Sequence, residues 1–200
     1  MLMRENTLEN QTLELRPGKL TGLGPRLVLH NSRIECYVTA RELMITDVEM
    51  HHCTFVAKKQ LTGFKFLRAR LYDCAFEGRY SGCDFGKQKD VYNEAGDIAR
   101  CDFSKARLDA CRFFGCDIDT INLKTCFASI VMLQPRTRLT INGLGPLPIG
   151  LQVYLDVSQD QSPDCVAVVD DVELLANRLR VDPKELLRLA EEVGARSQSF

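Results

Sequence analysis

The sequence predicts a mainly β fold in which a solenoid of short strands is followed by a small C-terminal α/β cap. The main observation is a run of five-residue units between residues 101 and 135. The units are CDFSK, ARLDA, CRFFG, CDIDT, INLKT, CFASI and VMLQP. The third residue of every unit is apolar: Phe103, Leu108, Phe113, Ile118, Leu123, Ala128 and Leu133. The first residue is small or apolar: Cys101, Ala106, Cys111, Cys116, Ile121, Cys126 and Val131.

A period of five residues fits neither a straight helix nor a straight strand. Five residues advance a helix by about 140° beyond one turn, so the third positions would scatter around its surface. In a straight strand, the side chains alternate and every second unit would point away from the core. The chain must therefore turn by a fixed angle every five residues, which describes a solenoid whose first and third positions both face inward.

These units resemble the A(D/N)LXX signature of the pentapeptide repeat family. The clearest versions are ARLDA, CDFSK and INLKT, which begin at Ala106, Cys101 and Ile121. The resemblance implies a right-handed quadrilateral β-helix with four repeats in each coil.

The same period is present earlier in the chain, but with interruptions. Residues 1–26 contain apolar residues without a clean period, so we expect irregular first coils or an N-terminal cap there. The repeat emerges from Leu27 and slips by a residue near Tyr37 and again after the CAFEG unit at 74–78.

The stretch 86–100 breaks the period and is polar, which predicts a loop that projects from the solenoid. Loops on rigid scaffolds often carry binding residues, although a solvated insertion without a role is the alternative. The candidate partner-binding residues of this loop are Lys87, Lys89, Asp90, Tyr92, Asn93 and Glu94.

The period ends near residue 138, which divides the chain into a repeat domain (1–138) and a C-terminal segment (139–200). In the C-terminal segment, we expect strands at Leu139–Ile141, Leu151–Val157 and Cys165–Val169. We expect residues 195–200 to be frayed.

Two helices are predicted in the same segment by their N-terminal signals. Asp170-Asp171-Val172-Glu173 provides a capping residue and a glutamate for a helix that ends near Arg180. Asp182-Pro183-Lys184-Glu185 repeats the signal, with proline at the first helical position, for a helix that ends near Val193.

The outward positions of the repeat change in character along the run. Early units present polar residues that we expect to be solvated: Asp102, Ser104, Arg107 and Asp109. The last units instead present Phe127, Ile130 and Met132, an apolar patch that is costly to leave in water. We expect the C-terminal segment to cover this patch and the open end of the solenoid, with dimerisation through the same region as a variant.

The composition favours a soluble cytoplasmic protein without a cofactor. No apolar stretch is long enough to span a membrane, and no secretory signal is visible at the start of the sequence. The nine cysteines mostly occupy inward positions, as free thiols would in a reducing compartment. No spacing suggests a metal site or a catalytic pair, and His51-His52 is interpreted as a pair at a corner between repeats.

Three functions are compared at this point. The first is a non-enzymatic interaction scaffold that binds a protein partner. The family resemblance implies an immunity or self-protection role for it, a bacterial source, and a toxin as one candidate partner. The second, implied by the same resemblance, is a DNA mimic that protects DNA gyrase or another topoisomerase. Residues 36–135 contain 13 acidic and 14 basic residues, whereas a DNA mimic needs a dense negative surface.

The third function is a nucleic-acid-binding regulator that acts through the C-terminal pair of helices, whose sequence faintly resembles a helix-turn-helix. The stretch Cys165–Phe200 has seven acidic and five basic residues, which weighs against phosphate binding. We therefore expect a scaffold rather than an enzyme or a DNA-binding protein.

Overall fold

The chain winds into a parallel β-solenoid of about four turns, and the predicted mainly β fold class is confirmed. The computed structural model describes residues 1–89, 96–133 and 146–198. The solenoid strands are β1 (Leu2–Met3), β2 (Asn6–Glu9), β3 (Thr12–Leu15), β4 (Gly22–Leu23), β5 (Leu27–His30), β6 (Arg33–Cys36), β7 (Met44–Ile45), β8 (Val48–His51), β9 (Thr54–Thr62), β10 (Ala69–Tyr72), β11 (Ala75–Ser81), β12 (Asp84–Gly86), β13 (Asp97–Ala99), β14 (Asp102–Asp109) and β15 (Cys111–Phe114).

Three parallel sheets run along the solenoid, in the orders β1-β4-β7, β2-β5-β8-β10-β13 and β3-β6-β9-β11-β14. Residues 1–26 already contribute strands to all three sheets, so the first coil is regular rather than a separate cap. The fourth sheet begins with β12 and β15 and continues into the C-terminal segment.

In the second and third sheets, equivalent residues of the first coils are 21 positions apart, one more than four five-residue repeats would give. In the second sheet, Leu8, Leu29, Met50 and Leu71 occupy the same position of successive strands. The one extra residue in each of these coils explains the slips in the sequence period. A local cause is visible in β9, whose pairing with β11 shifts register beyond Gly78.

Phenylalanine rings form columns inside the solenoid. Phe66 and Phe85 stack with their ring centroids 4.8 Å apart, and Phe113 stacks on Phe85 at 5.2 Å. In the neighbouring column, Phe76 and Phe103 stack at 4.6 Å. These spacings match the distance of about 4.8 Å between paired strands, so each coil adds one ring to each column.

The cysteines form similar columns, and all nine are free thiols. Cys53, Cys74 and Cys101 follow one another in successive coils. Each thiol lies 3.4 or 3.5 Å from a carbonyl oxygen of the preceding coil. Cys83 and Cys111 are stacked in the same way on another wall. Small side chains at these corners leave room for the large apolar residues two positions later.

The repeat becomes irregular after β15, although Ile121, Leu123, Val131 and Leu133 are still buried at their predicted inward positions. Phe103, Leu108 and Phe113 are buried as expected, but Ile118 lies in a short 3-10 turn (Ile118–Thr120) and is only partly buried. The predicted inward position of Cys126 is wrong, because its side chain is exposed. The reason is that a C-terminal strand pairs antiparallel with β15 and occupies the edge that another parallel coil would need.

The C-terminal cap completes the fourth sheet and packs three helices against it. Its elements are β16 (Ser129–Leu133), α1 (Ile149–Gln159), β17 (Cys165–Asp171), α2 (Val172–Leu179), α3 (Pro183–Glu192) and β18 (Arg196–Gln198). The sheet order is β12-β15-β17-β16-β18, and β17 is antiparallel to both of its neighbours. One face of this sheet closes the solenoid core, and the other carries the helices.

The two helices predicted from capping signals are confirmed. The Asp171 side chain accepts from the backbone N–H of Leu174 at 3.0 Å, and the Asp182 side chain accepts from Lys184 at 2.8 Å. Both contacts satisfy N–H groups that a first helical turn leaves open. The strand predicted at Cys165–Val169 is also confirmed as β17.

Three other expectations for the cap have different outcomes. The strand predicted at Leu151–Val157 is wrong, because this stretch is α1. Its apolar residues are spaced by two, but Leu151 and Leu155 are also four apart, and the helix buries both of them against the sheet. The expected fraying of 195–200 is wrong for Arg196–Gln198, which form β18, and the strand expected at Leu139–Ile141 lies outside the described residues.

The projecting insertion is shorter than the predicted 86–100. Gly86 still belongs to β12, and the second sheet resumes with β13 at Asp97. Gly96 lies so close to the coil that an added Cβ would come within 2.4 Å of the carbonyl oxygens of Gly86 and Leu67, which only glycine avoids. In the described part of the chain, no helix has both the length and the apolar character needed to cross a membrane.

Candidate interaction surface

The described residues of the predicted binding loop lie at its base. The backbone N–H of Lys87 donates to the carbonyl of Phe114 at 2.8 Å, and that of Lys89 donates to the Asp164 carboxylate at 2.9 Å. These contacts attach the start of the insertion to the end of the solenoid and to the cap. The remaining candidates of this loop, Asp90, Tyr92, Asn93 and Glu94, lie outside the described residues.

The predicted apolar patch is covered by the helices of the chain itself. Ile130 and Met132 are each 1% exposed and pack with Leu155 of α1 and Leu189 of α3. Phe127 is partly buried, with the Arg107 guanidinium 5.0 Å from its ring centroid. Ile130 and Met132 therefore form part of the interior of the cap and do not offer an exposed surface to a partner.

Arg107 binds the cap instead of facing water as the sequence suggested. Its Nε donates to Asp171 at 2.7 Å and its Nη2 donates to the same carboxylate at 3.0 Å. The Asp171 side chain is 2% exposed, so this bidentate pair is shielded from solvent. Because the same carboxylate also caps α2, the pair fixes that helix on β14.

Asp109, which was also expected to be solvated, takes part in a second contact with the cap. Arg178 of α2 donates to both oxygens of Asp109 at 3.2 Å and also to Asp170 at 3.2 Å. We call Arg107, Asp109, Asp170, Asp171 and Arg178 the junction cluster. Residues of α2 and β17 in this cluster reach β14, which holds the cap on the last complete coil.

Asp170 is the buried centre of the junction cluster. Its carboxylate accepts from the Tyr154 hydroxyl at 2.9 Å and from the Ala110 backbone N–H at 3.2 Å, in addition to Arg178. Burial raises the pKa of the Asp170 carboxyl to about 6, and the neighbouring Asp109 acts in the same direction. Burial likewise raises the pKa of Tyr154 well above its usual value. Removing a charged carboxylate from water costs free energy even where donors surround it.

The outer side of α1 carries an exposed apolar stripe. Ile149, Val153 and Val157 are 80%, 51% and 56% exposed and recur every fourth residue. This spacing places them on one face of the helix, opposite to the buried Leu151 and Leu155. We call these three residues the α1 stripe. Their spacing of four can be read in the sequence, but it was missed because this stretch was predicted to be a strand.

A cavity of about 350 Å³ lies beside the stripe, between α1, α2 and the last coils. We call it the junction cavity. Val153 and Val157 of the stripe form part of its wall. Its other lining residues are Gly82, Ala110, Arg112, Tyr154, Ser158, Gln161, Val168, Asp170, Leu175, Arg178 and Leu179.

The histidines form a ladder on the outside of the solenoid. His30 and His51 stack with ring centroids 4.9 Å apart, and His51 lies 2.6 Å from the Glu49 carboxylate. His52 occupies a left-handed corner with φ 51°, so the two adjacent histidines point in different directions. Among the described residues, no group of three or more histidine, cysteine or acidic side chains is placed to hold a metal ion.

Comparison with protein-family models, with curated proteins and with solved structures finds no match for this chain. The likeness to the pentapeptide repeat family therefore depends on the repeat units and on the solenoid itself. A function has to be inferred from the residues that the fold brings together.

Proposed function

We propose that the chain is a non-enzymatic scaffold that binds a protein partner through the α1 stripe. The observation that supports this proposal is the exposure of Ile149, Val153 and Val157 on one helix face. Contiguous apolar side chains on an otherwise polar surface usually mark a contact site, since their burial is favourable. Interfaces commonly have such an apolar centre inside a polar rim.

The position of α1 suits a binding element. Leu151 and Leu155 anchor the helix on the cap sheet, and the Tyr154 hydroxyl ties it to Asp170 of the junction cluster. A helix fixed in this way loses little conformational freedom on binding, which favours affinity. The solenoid beneath it provides a rigid support with about four turns of paired strands.

The charges on the solenoid surface favour a scaffold over a DNA mimic. Glu35 pairs with Arg33 at 3.2 Å and with Lys58 at 3.0 Å, so its charge is locally balanced. Glu77 is shared in the same way between Arg33 and Lys105. With a formal net charge of -1, the chain lacks the dense negative field that would attract a topoisomerase groove. Immunity or self-protection remains a role implied by the family resemblance.

Affinity purification with matched variants tests this proposal. The baits are the wild type, Val153→Asp, and the control Met44→Asp, which places the same charge on a solenoid residue that is 55% exposed. In a lysate of the source organism, we expect a protein that the wild type and Met44→Asp retain and Val153→Asp loses. Retention of the same proteins by all three baits would contradict binding through the stripe.

The mass of the isolated protein separates two kinds of partner. Dimerisation through the C-terminal region stays a prediction from the sequence, and a second copy could cover the stripe. Light scattering at increasing concentration should give the monomer mass for both the wild type and Val153→Asp if the partner is a different protein. A dimer that Val153→Asp dissociates would identify the partner as a second copy.

A further inference from the structure

The junction cavity has the size and the walls of a small-molecule site. Its volume of about 350 Å³ lies within the usual range for ligand pockets, about 300–1,000 Å³. Apolar side chains contribute much of the wall, with Val153 and Val157 on α1, Val168 on β17, and Leu175 and Leu179 on α2. A ring or a branched alkyl group would be removed from water on several sides there.

The charged groups around the cavity are arranged with the cations towards solvent. Arg112 pairs with Asp84 through two hydrogen bonds of 2.7 and 2.9 Å, and its side chain is 37% exposed, whereas Asp84 is 1% exposed. Arg178 is 47% exposed, whereas its partners Asp109 and Asp170 are 9% and 2% exposed. A ligand entering the cavity would therefore meet two accessible guanidinium groups. Of their partner carboxylates, only that of Asp170 lines the cavity, and it is 2% exposed.

We propose that the junction cavity binds a small organic anion that has an apolar, ring-shaped body. The body lies against the valine and leucine side chains, and the carboxylate or sulfonate faces Arg112 and Arg178. Guanidinium groups suit this role because they donate paired hydrogen bonds to the oxygens of such anions and also stack on aromatic rings. This site goes beyond the proposed partner binding. It shares Val153 and Val157 with the stripe, but its anion-binding groups Arg112 and Arg178 lie outside the stripe.

A fluorescence titration with 8-anilinonaphthalene-1-sulfonate tests the site on the full chain. Val157→Trp and Leu179→Trp introduce bulk into the cavity from two different helices, and Ile149→Trp makes the same kind of change on the stripe outside it. We expect saturable binding to the wild type and to Ile149→Trp. We expect a dissociation constant at least about tenfold higher for both cavity variants, because each added indole ring fills space in which the apolar body of the ligand would lie. Circular dichroism melts verify that all variants are folded.

Competition tests the charge preference of the same site. We expect 2-naphthoate to displace the dye and 2-naphthylmethylammonium, which has the same rings and the opposite charge, to leave it bound. The proposal is overturned if the wild type shows no saturable binding, if both cavity variants bind like the wild type, if Ile149→Trp loses binding equally, or if the ammonium competes as well as the acid. Val153 belongs to both the stripe and the cavity wall, so the partner-capture test is repeated with Ile149→Asp, which lies outside the cavity. Loss of partner capture by Ile149→Asp is a result separate from dye binding, so either proposal can fail alone.

Discussion

The solenoid and the C-terminal cap are held together by different interactions. Inside the solenoid, each coil repeats the apolar contacts of its neighbours, as the stacked rings of Phe66, Phe85 and Phe113 show. The cap meets the last coil through ion pairs as well, with Arg107 and Arg178 as the cations. A repeated apolar contact needs only residues of the right size, whereas a buried ion pair needs both partners in place. We therefore expect the solenoid to lose stability through polar groups introduced into its core, and the cap through single unpaired charges.

The largest effect is expected for a charge placed inside a coil. Leu108→Asp buries a carboxylate where leucine is 2% exposed, and we expect a loss of about 5 kcal/mol, comparable to the whole stability of a domain. The control Gln60→Asp adds the same charge on the outside of β9 and should change stability by less than about 0.5 kcal/mol. Urea unfolding of both variants measures this, and equal losses would refute the assignment of inward and outward positions.

At the junction, removal of one cation should destabilise the protein more than removal of an equally close surface cation. Arg107→Ala leaves the buried Asp171 carboxylate without its guanidinium, at a cost of about 3 kcal/mol. Arg16 approaches Glu14 at the same Nε–O distance of 2.7 Å, but both groups are well exposed. We expect Arg16→Ala to cost a small fraction of that loss because water screens the pair. Similar melting temperatures for the two variants would show that the junction pair contributes no more to stability than a surface pair.

The pH dependence of stability should report on Asp170. A group whose pKa is higher in the folded state releases its proton at a higher pH there than in the unfolded chain. Its contribution to stability is therefore present at low pH and is lost as the pH rises. With a folded pKa of about 6, the wild type should lose about 2 kcal/mol between pH 4.5 and pH 7 relative to Asp170→Asn, which cannot titrate there. Denaturant unfolding of both proteins at the two pH values gives this difference. A constant or opposite difference would mean that the donors around Asp170 outweigh its burial.

How far the sequence predicts the molecule follows from the range of the interactions. The period of five depends on contacts between neighbouring coils, so it correctly placed Phe103, Leu108 and Phe113 inside. It could not indicate that β15 is the last parallel strand of the fourth sheet, because β17, about 50 residues later, pairs with its free edge. Such antiparallel pairing leaves no trace in the period of the repeat.

Less of the candidate interaction surface could be predicted from the sequence. Arg107 and Asp109 look like ordinary solvated residues in the repeat, since the groups that they bind, Asp171 and Arg178, lie more than 60 residues away. Ile130 and Met132 were recognised as unusual apolar residues, and the structure places them under the helices. The α1 stripe was missed because residues spaced by two suggest a strand as readily as a helix.

A smaller effect should distinguish the exposed thiol of Cys126 from the buried thiols. We expect Cys126, which is exposed, to react rapidly with a thiol reagent in the native protein, and the buried thiols of the coils to react slowly. Burial also raises the pKa of Cys36 and Cys165 to about 11, which lowers their thiolate fraction. Denaturation without reductant should expose all nine thiols to the reagent. Fewer than nine would indicate disulfides, and rapid reaction of the coil thiols would indicate an open solenoid.

The smallest effect on stability, and the most direct test of function, is expected at the α1 stripe. Val153→Asp changes a half-exposed side chain, so the melting temperature should stay within about 2 °C of the wild type. The affinity for the captured partner, measured by calorimetry with the purified proteins, should nevertheless fall at least about tenfold, because a charge replaces an apolar contact at the centre of the interface. Equal affinity of the wild type and Val153→Asp would contradict the assignment of the stripe as the binding surface.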